Sequence, residues 1–224
     1  MFKALSAVLI LRLALLTLAG EESNAPVRAL GGGQFAIGLV TMDQNARQAR
    51  FPATVNLLEG TVEYVVVHKT GKAHESIFRT DARPQDIHVA MLLLNAHPVM
   101  TNQFGIDGQA QPRGDEVQLE VAWTNLFSRQ EMPVEDLVQN KETSQPRARG
   151  AWIYNGSNFS EGMFTAQRDG SIVSIHIDPD ALINNPQPGR INDDLYRPHA
   201  GRLPPIGTRV VVTIRLVGQP SRLR

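Results

Sequence analysis

The chain has 224 residues, and its 22 basic and 22 acidic side chains give a formal net charge of +0 at pH 7. A neutral chain lacks the basic character that attracts nucleic acids or anionic membranes, so neither is an expected partner. It contains no cysteine. This excludes disulfides, iron–sulfur clusters and thiol nucleophiles, so a hydrophobic core has to stabilise the fold.

Residues 1–20 have the layout of a secretory signal peptide. Lys3 supplies a positive charge, Ala4–Ala19 is almost wholly apolar, and Thr17-Leu18-Ala19 offers small residues for cleavage. The apolar stretch is interrupted by Arg12 and is shorter than the about 20 residues of a transmembrane helix. We therefore expect cleavage and a periplasmic or secreted protein without a stable membrane anchor; an uncleaved N-terminal anchor is the alternative.

After the signal, residues 21–34 are polar and glycine-rich and predict a flexible leader, followed by a single domain over residues 35–220. Apolar and β-branched runs separated by turn residues predict many short strands in this domain. The predicted strands are Ile37–Met42, Ala53–Leu58, Val62–His68, His74–Thr80, Val117–Asn125, Ala151–Tyr154, Gly162–Thr165, Ile172–Ile177 and Arg209–Val217. Thr70-Gly71 predicts a β-hairpin between the third and fourth of these, with its register left open.

One helix is predicted at about residues 84–97. Pro84 suits a first helical turn, and Ile87, Met91 and Leu94 repeat at helical spacing. Such an apolar stripe packs against a sheet. The expected fold is therefore α+β, a mainly antiparallel sheet or two packed sheets, with this helix covering one face.

Several short motifs, in order, resemble the YdjY-like domain family over about residues 36–217. They are Phe51-Pro52-Ala53, Val62-Glu63-Tyr64, Lys72-Ala73-His74-Glu75-Ser76, Ile87–Leu94, Trp152–Ser157, Asp169-Gly170, Ser174, Asp178-Pro179 and Leu203–Thr208. The resemblance implies an exported bacterial protein with no established activity. Some members are coupled to iron–sulfur modules, a role that a chain without cysteine does not share.

His74-Glu75-Ser76 combines the residue types of acid–base and nucleophilic catalysis. On a strand, Glu75 points away from the other two, so the three do not form a local triad. His74, Ser76 and Thr80 share one face. His74 and Ser76 either flank a ligand together or are polar residues near a sheet edge.

His88 lies at the border of the helical stripe. If the helix packs over the hairpin, His88 approaches His74 or His68 and offers two imidazoles to a metal. The candidates for a third ligand are Asp86, Glu75 and His176. No HExxH or calcium-loop spacing is present, and a histidine that bonds a backbone carbonyl is the other interpretation.

Gly156-Ser157 follows an aromatic strand but does not match the GxSxG pattern of a nucleophile elbow. It predicts a tight turn that exposes Ser157. Trp152 and Tyr154 share one strand face, where they pack in the core or stack on a sugar ring.

These residues favour an exported, non-enzymatic binding or accessory module with a small-molecule or protein ligand, and no cofactor or metal is assigned. The expected site comprises His74, Ser76, Thr80 and His88, with Glu75 as a second choice. The alternative is a metal-assisted hydrolase that uses His74, Glu75 and His88.

Overall fold

The computed structural model describes residues 26–99, 111–126 and 128–218. Within them the strands are β1 (Val27–Gly31), β2 (Gln34–Ile37), β3 (Val40–Asp43), β4 (Gln48–Val55), β5 (Tyr64–His68), β6 (Ser76–Thr80), β7 (Asp115–Thr124), β8 (Arg129–Pro133), β9 (Val138–Asn140), β10 (Trp152–Tyr154), β11 (Phe159–Ser160), β12 (Met163–Phe164), β13 (Ser171–Ser174), β14 (Ile183–Asn184), β15 (Tyr196–Pro198) and β16 (Arg209–Leu216). The helices are α1 (Pro84–Leu93) and α2 (Thr165–Asp169). The expected signal peptide at residues 1–20 lies outside the described residues.

Eight strands form a closed ring in the order β4, β16, β7, β10, β14, β13, β5 and β6, after which β6 pairs with β4 again. The closing contact is antiparallel and joins Thr54 to Arg79 and Val55 to Phe78. The pairs β5–β6 and β13–β14 are parallel, and the other pairs of the ring are antiparallel. Strands β1 to β3 extend the sheet beyond β4, and β8 pairs with β7. Closure leaves the ring without an unpaired edge.

The predicted α+β class, with an open sheet or two packed sheets and a covering helix, is therefore wrong. The molecule is mainly β, an eight-stranded closed barrel with additional strands, and α1 is the one substantial helix in the described ranges. The sequence pattern predicts strands one at a time. Closure depends on β6 returning to β4, and no local pattern encodes that pairing.

Alternation along the strands separates the barrel interior from its outer wall. On β4, β6 and β16, Thr54 is half-buried and Arg79 and Arg209 are exposed, and each is followed along its strand by a buried residue. Phe51 and Val212, which pair with each other across β4 and β16, have the opposite parity and are almost fully buried. Apolar side chains of this kind fill the interior, as is usual for a barrel of eight strands.

The predicted hairpin around Thr70-Gly71 is also wrong, because β5 and β6 run parallel, with Tyr64 opposite Ser76 and His68 opposite Thr80. The chain travels back along the barrel between them and forms a short 3-10 turn at Ala73–Glu75.

Gly71 lets this crossover pass close to the loop before β13. A Cβ atom at Gly71 would lie 2.8 Å from the carbonyl oxygen of Asp169 and 3.1 Å from the Cα atom of Gly170. Real Cβ atoms essentially never come within 3.0 Å of a heavy atom outside their own chain neighbours. The short parallel crossover therefore depends on a residue without a side chain.

Helix α1 begins at Pro84 as predicted and ends at Leu93, earlier than the predicted residue 97. Asn95 has a φ of 63°, a left-handed conformation that ends the helix. The helix packs against β2, β3, β4 and α2 rather than over β5 and β6. This placement removes the reason for expecting His88 beside His74.

Arg147 is a buried cation that contacts the Glu135 carboxylate and the Trp152 ring. The side chain of Arg147 is fully buried, and its guanidinium lies 3.5 Å from the Glu135 carboxylate and 4.2 Å from the centre of the Trp152 ring. The Trp152 indole N–H donates to the same carboxylate at 2.9 Å, and Arg147 also donates to Asn185. Burial lowers the pKa of Arg147 to about 10, so the group remains a cation at pH 7.

Candidate functional site

Three neighbouring strands of the outer barrel wall place two arginines on either side of a threonine. Thr54 on β4 is the register partner of both Arg79 on β6 and Arg209 on β16. Adjacent strands lie about 5 Å apart, so the backbones of the two arginines are separated by about 10 Å. Both arginines are exposed, and within the described ranges neither guanidinium makes a hydrogen bond or an ion pair.

This row borders a groove of about 490 Å³, which we call the arginine groove and define by Thr54, Lys69, Arg79, Asp81 and Arg209. The ammonium of Lys69 lies 2.7 Å from the Asp81 carboxylate, and both side chains are more than half exposed. The bond from Lys69 lowers the pKa of Asp81, so this carboxylate is ionised and compensates one cation. The groove therefore keeps a surplus of positive charge from its two arginines.

Of the predicted site residues, Thr80 lies at this groove. Its hydroxyl donates to the carbonyl oxygen of Pro52 at 2.5 Å and accepts from the Ala82 N–H at 2.9 Å. Ser76 is fully buried, and its hydroxyl donates to the carbonyl oxygen of Phe78 at 2.8 Å. Both hydroxyls are thus engaged in holding the backbone.

His74 and Glu75 lie on the 3-10 turn of the crossover rather than on a strand. The side chain of His74 is 79% exposed, with its Nε2 atom 3.9 Å from the Glu75 carboxylate, and the ammonium of Lys72 lies 3.6 Å from Glu75. Glu63 lies close by, with His176 at 3.9 Å. Burial and the nearby Glu75 charge raise the pKa of Glu63.

His88 lies on the buried face of α1, and its side chain is almost fully buried. Its Nδ1 atom shares a hydrogen bond of 2.7 Å with the Tyr154 hydroxyl, and its ring centre is 4.8 Å from that of Phe164. Burial lowers the pKa of His88 to about 4 and raises that of Tyr154. The pair is therefore neutral at pH 7, and the bond joins two side chains rather than a histidine and a backbone carbonyl.

The metal interpretation requires at least three ligands at one point. In the described part of the chain, no group of three or more histidine or acidic side chains has an arrangement that holds a metal ion. His74 and His88 have different neighbours, Glu75 for the first and Tyr154 with Phe164 for the second. Within the described ranges, His74, Glu75 and His88 therefore do not form the three-ligand group expected for the hydrolase alternative.

The Gly156-Ser157 turn is present, but it buries the serine instead of exposing it. Gly156 and Ser157 have φ values of 80° and 66°, and Ser157 is fully buried. The Ser157 hydroxyl donates to the carbonyl oxygen of Asp180 at 2.6 Å and accepts from the Ala166 N–H at 3.0 Å. This serine organises the local backbone and is not presented to a substrate.

The family model of the YdjY domain matches residues 40–215, which include the eight barrel strands except the last residue of β16, Leu216. The chain belongs to the YdjY domain family. No curated protein and no solved structure matches it. No helix in the described ranges of this YdjY domain has the length and apolar character needed to span a membrane.

Sequence reasoning missed the arginine groove of this YdjY domain. Arg79 is a charged residue between buried Phe78 and Thr80 in a predicted strand, and Arg209 opens the last predicted strand, so both were recognisable as outward-facing. The proximity of Arg79 and Arg209 was not recognisable from the sequence, because it depends on β4 lying between β6 and β16.

Proposed function

We propose that this YdjY domain is a non-enzymatic binding module that holds a ligand bearing carboxylate or phosphate groups in the arginine groove. The observation that carries the proposal is the pair of exposed guanidiniums flanking Thr54, neither of which forms an ion pair or a hydrogen bond with a carboxylate of the described ranges. A guanidinium donates two parallel hydrogen bonds to a carboxylate or phosphate, and such charge-assisted bonds are the stronger kind.

The spacing and the neighbouring groups define the ligand further. Two guanidiniums whose backbones lie about 10 Å apart suit a ligand with two oxyanions or a repeating anion. The Thr54 hydroxyl between them offers a further donor, and Pro52 and Leu39 give the groove an apolar wall. Lys69 and Asp81 also line the groove, and their ion pair of 2.7 Å compensates their two charges.

We further propose that the module acts outside the cytoplasm. The support is the N-terminal sequence, in which a positive charge, an apolar stretch and small residues follow in signal-peptide order. Fractionation of cells that produce the full chain, with N-terminal sequencing of the recovered protein, tests this. Recovery of an uncleaved protein in the cytoplasm would refute it.

Binding is tested by calorimetric titration with citrate and pyrophosphate at low salt. We expect the double variant R79Q/R209Q to bind at least 10-fold more weakly, since each charge-assisted bond contributes about 1.5–3 kcal/mol. The matched control is R28Q/R113Q, which removes the same charge from exposed positions outside the groove. Equal losses in both variants would show a general charge effect and refute the groove as the site, as would the absence of binding by the wild type.

A further inference from the structure

The ribbon formed by β11 and β12 presents an aromatic side chain to solvent. Each strand has only two residues, and the turn Glu161-Gly162 has φ values of 53° and 78°, the two positive angles that a type I′ turn requires. An isolated two-stranded ribbon is marginally stable in water. A defined position for this one therefore needs contacts elsewhere.

Those contacts come from buried polar groups on both sides of the ribbon. The Asn158 amide donates to the carbonyl oxygen of Pro179 at 2.9 Å, and the Thr165 N–H donates to the carbonyl oxygen of Asn158 at 2.9 Å. The Ser157 and Thr165 hydroxyls share a hydrogen bond of 3.0 Å. Because the side chains of Ser157, Asn158 and Thr165 are all buried, these bonds hold the ribbon rigidly.

The ribbon exposes apolar surface although it is held in place. Phe159 is 62% exposed and Met163 is 48% exposed. The ring of Phe164, the register partner of Phe159, lies 5.3 Å from the ring of Phe159 and 4.8 Å from that of His88. The rings of His88, Phe164 and Phe159 therefore form an aromatic platform that extends from the interior to the surface, where Phe159 is exposed.

A pocket of about 390 Å³ lies at this platform, with Gln85, Gln167 and Arg168 at its polar side. The Gln167 side-chain oxygen accepts from the Gln85 backbone N–H at 3.2 Å, and within the described ranges nothing bonds the Gln167 side-chain nitrogen. Arg168 is paired with Asp169 through two hydrogen bonds of 2.6 Å, so its charge is compensated. The pocket thus combines aromatic surface with amide groups and carries no surplus charge.

We propose that this pocket, defined by Gln85, Phe159, Met163, Phe164 and Gln167, binds a neutral hexopyranose unit of an oligosaccharide. One face of such a ring presents C–H groups that pack on an aromatic side chain, while its hydroxyls both donate and accept hydrogen bonds. Side-chain amides do the same. An anionic ligand would meet no uncompensated cation in this pocket, so the expected ligands of the pocket differ from those of the arginine groove.

The test is a calorimetric titration of the wild type with maltotriose, cellotriose and triacetylchitotriose, each up to 10 mM. We expect one of them to bind, and Phe159→Ala to weaken that binding at least 10-fold. Phe159→Trp keeps an aromatic face and is expected to bind within about threefold of the wild type. The control Leu126→Ala removes a side chain that is 94% exposed at the end of β7 and is expected to change nothing.

Three results would overturn the proposal. The first is the absence of binding by all three sugars, and the second is binding that Phe159→Ala leaves unchanged. The third is self-association of the wild type in sedimentation that Phe159→Ala abolishes, because a second copy would then occupy the platform. The outcome is independent of the proposed anion site, since R79Q/R209Q is expected to bind the sugar as the wild type does.

Discussion

Replacing His88 with glutamine tests whether burial of this imidazole makes the free energy of unfolding depend on pH. The unfolded chain takes up a proton on His88 as the pH falls through 6.5, whereas burial keeps the folded group neutral until about pH 4. Between these values the unfolded state binds more protons, so the free energy of unfolding falls as the pH falls. The stabilising contribution of the neutral group is therefore complete above pH 6.5 and is lost progressively toward pH 4.

The size of the effect follows from the two pKa values. Between pH 7.5 and pH 5 the linkage relation gives a loss of about 2 kcal/mol in the free energy of unfolding, at about 1.4 kcal/mol per pH unit near pH 5. His88→Gln removes this pH-dependent loss and keeps a side chain that can accept a hydrogen bond from Tyr154. Relative to the wild type, the variant is expected to gain about 2 kcal/mol over that range.

The assay is urea unfolding of both proteins at pH 7.5, 6, 5 and 4.5, with the difference in unfolding free energy followed against pH. Any packing loss in the variant appears at every pH and cancels in that difference, as do the contributions of carboxylates common to both proteins. His74→Gln is the matched control, because it makes the same substitution at a side chain that is 79% exposed. If His88→Gln and the wild type lose equal stability between pH 7.5 and pH 5, the reasoning is refuted.

Two further substitutions test the packing by urea unfolding at pH 7.5. Glu135→Ala leaves the buried Arg147 cation without its carboxylate and is expected to lower the free energy of unfolding by about 3–5 kcal/mol. The control Arg149→Ala removes an exposed ion pair with Asp136 of 2.8 Å and is expected to lower it by less than about 1 kcal/mol. Similar losses in the two variants would contradict the buried-pair assignment. Gly156→Ala places a Cβ atom 2.3 Å from the Cβ atom of Pro98 at a φ of 80°, whereas Gly162→Ala at a φ of 78° meets nothing within 4 Å. We expect the second to cost about 1–2 kcal/mol for its backbone conformation and the first clearly more, so equal costs would argue against the close approach.

The local elements of this YdjY domain were predictable where the sequence pattern is unambiguous. Strands β7, β10 and β16 and the start of α1 at Pro84 match their predicted positions closely, because alternation, helical spacing and a proline at a first turn act within a few residues. The predicted strand Ile37–Met42 is instead split into β2 and β3 by a turn at Gly38-Leu39.

The site was predictable only in part, because a ligand-binding surface collects residues from distant segments. The sequence singled out Thr80, which lies at the arginine groove, but not Arg79 or Arg209. It also placed Glu75 and His74 on a strand, whereas the parallel crossover of β5 and β6 puts them on a turn.

By itself, the sequence determined that this chain is neutral and cysteine-free, that it is rich in short strands, and that its motifs are those of the YdjY family. These properties are set by composition or by neighbours along the chain. Only the tertiary structure decided that the strands close into a barrel, that α1 packs beside β2 to β4, and that Arg79 and Arg209 flank Thr54. Each of these depends on pairing between segments far apart in sequence, which is selected by the packing of the whole core rather than by any local pattern.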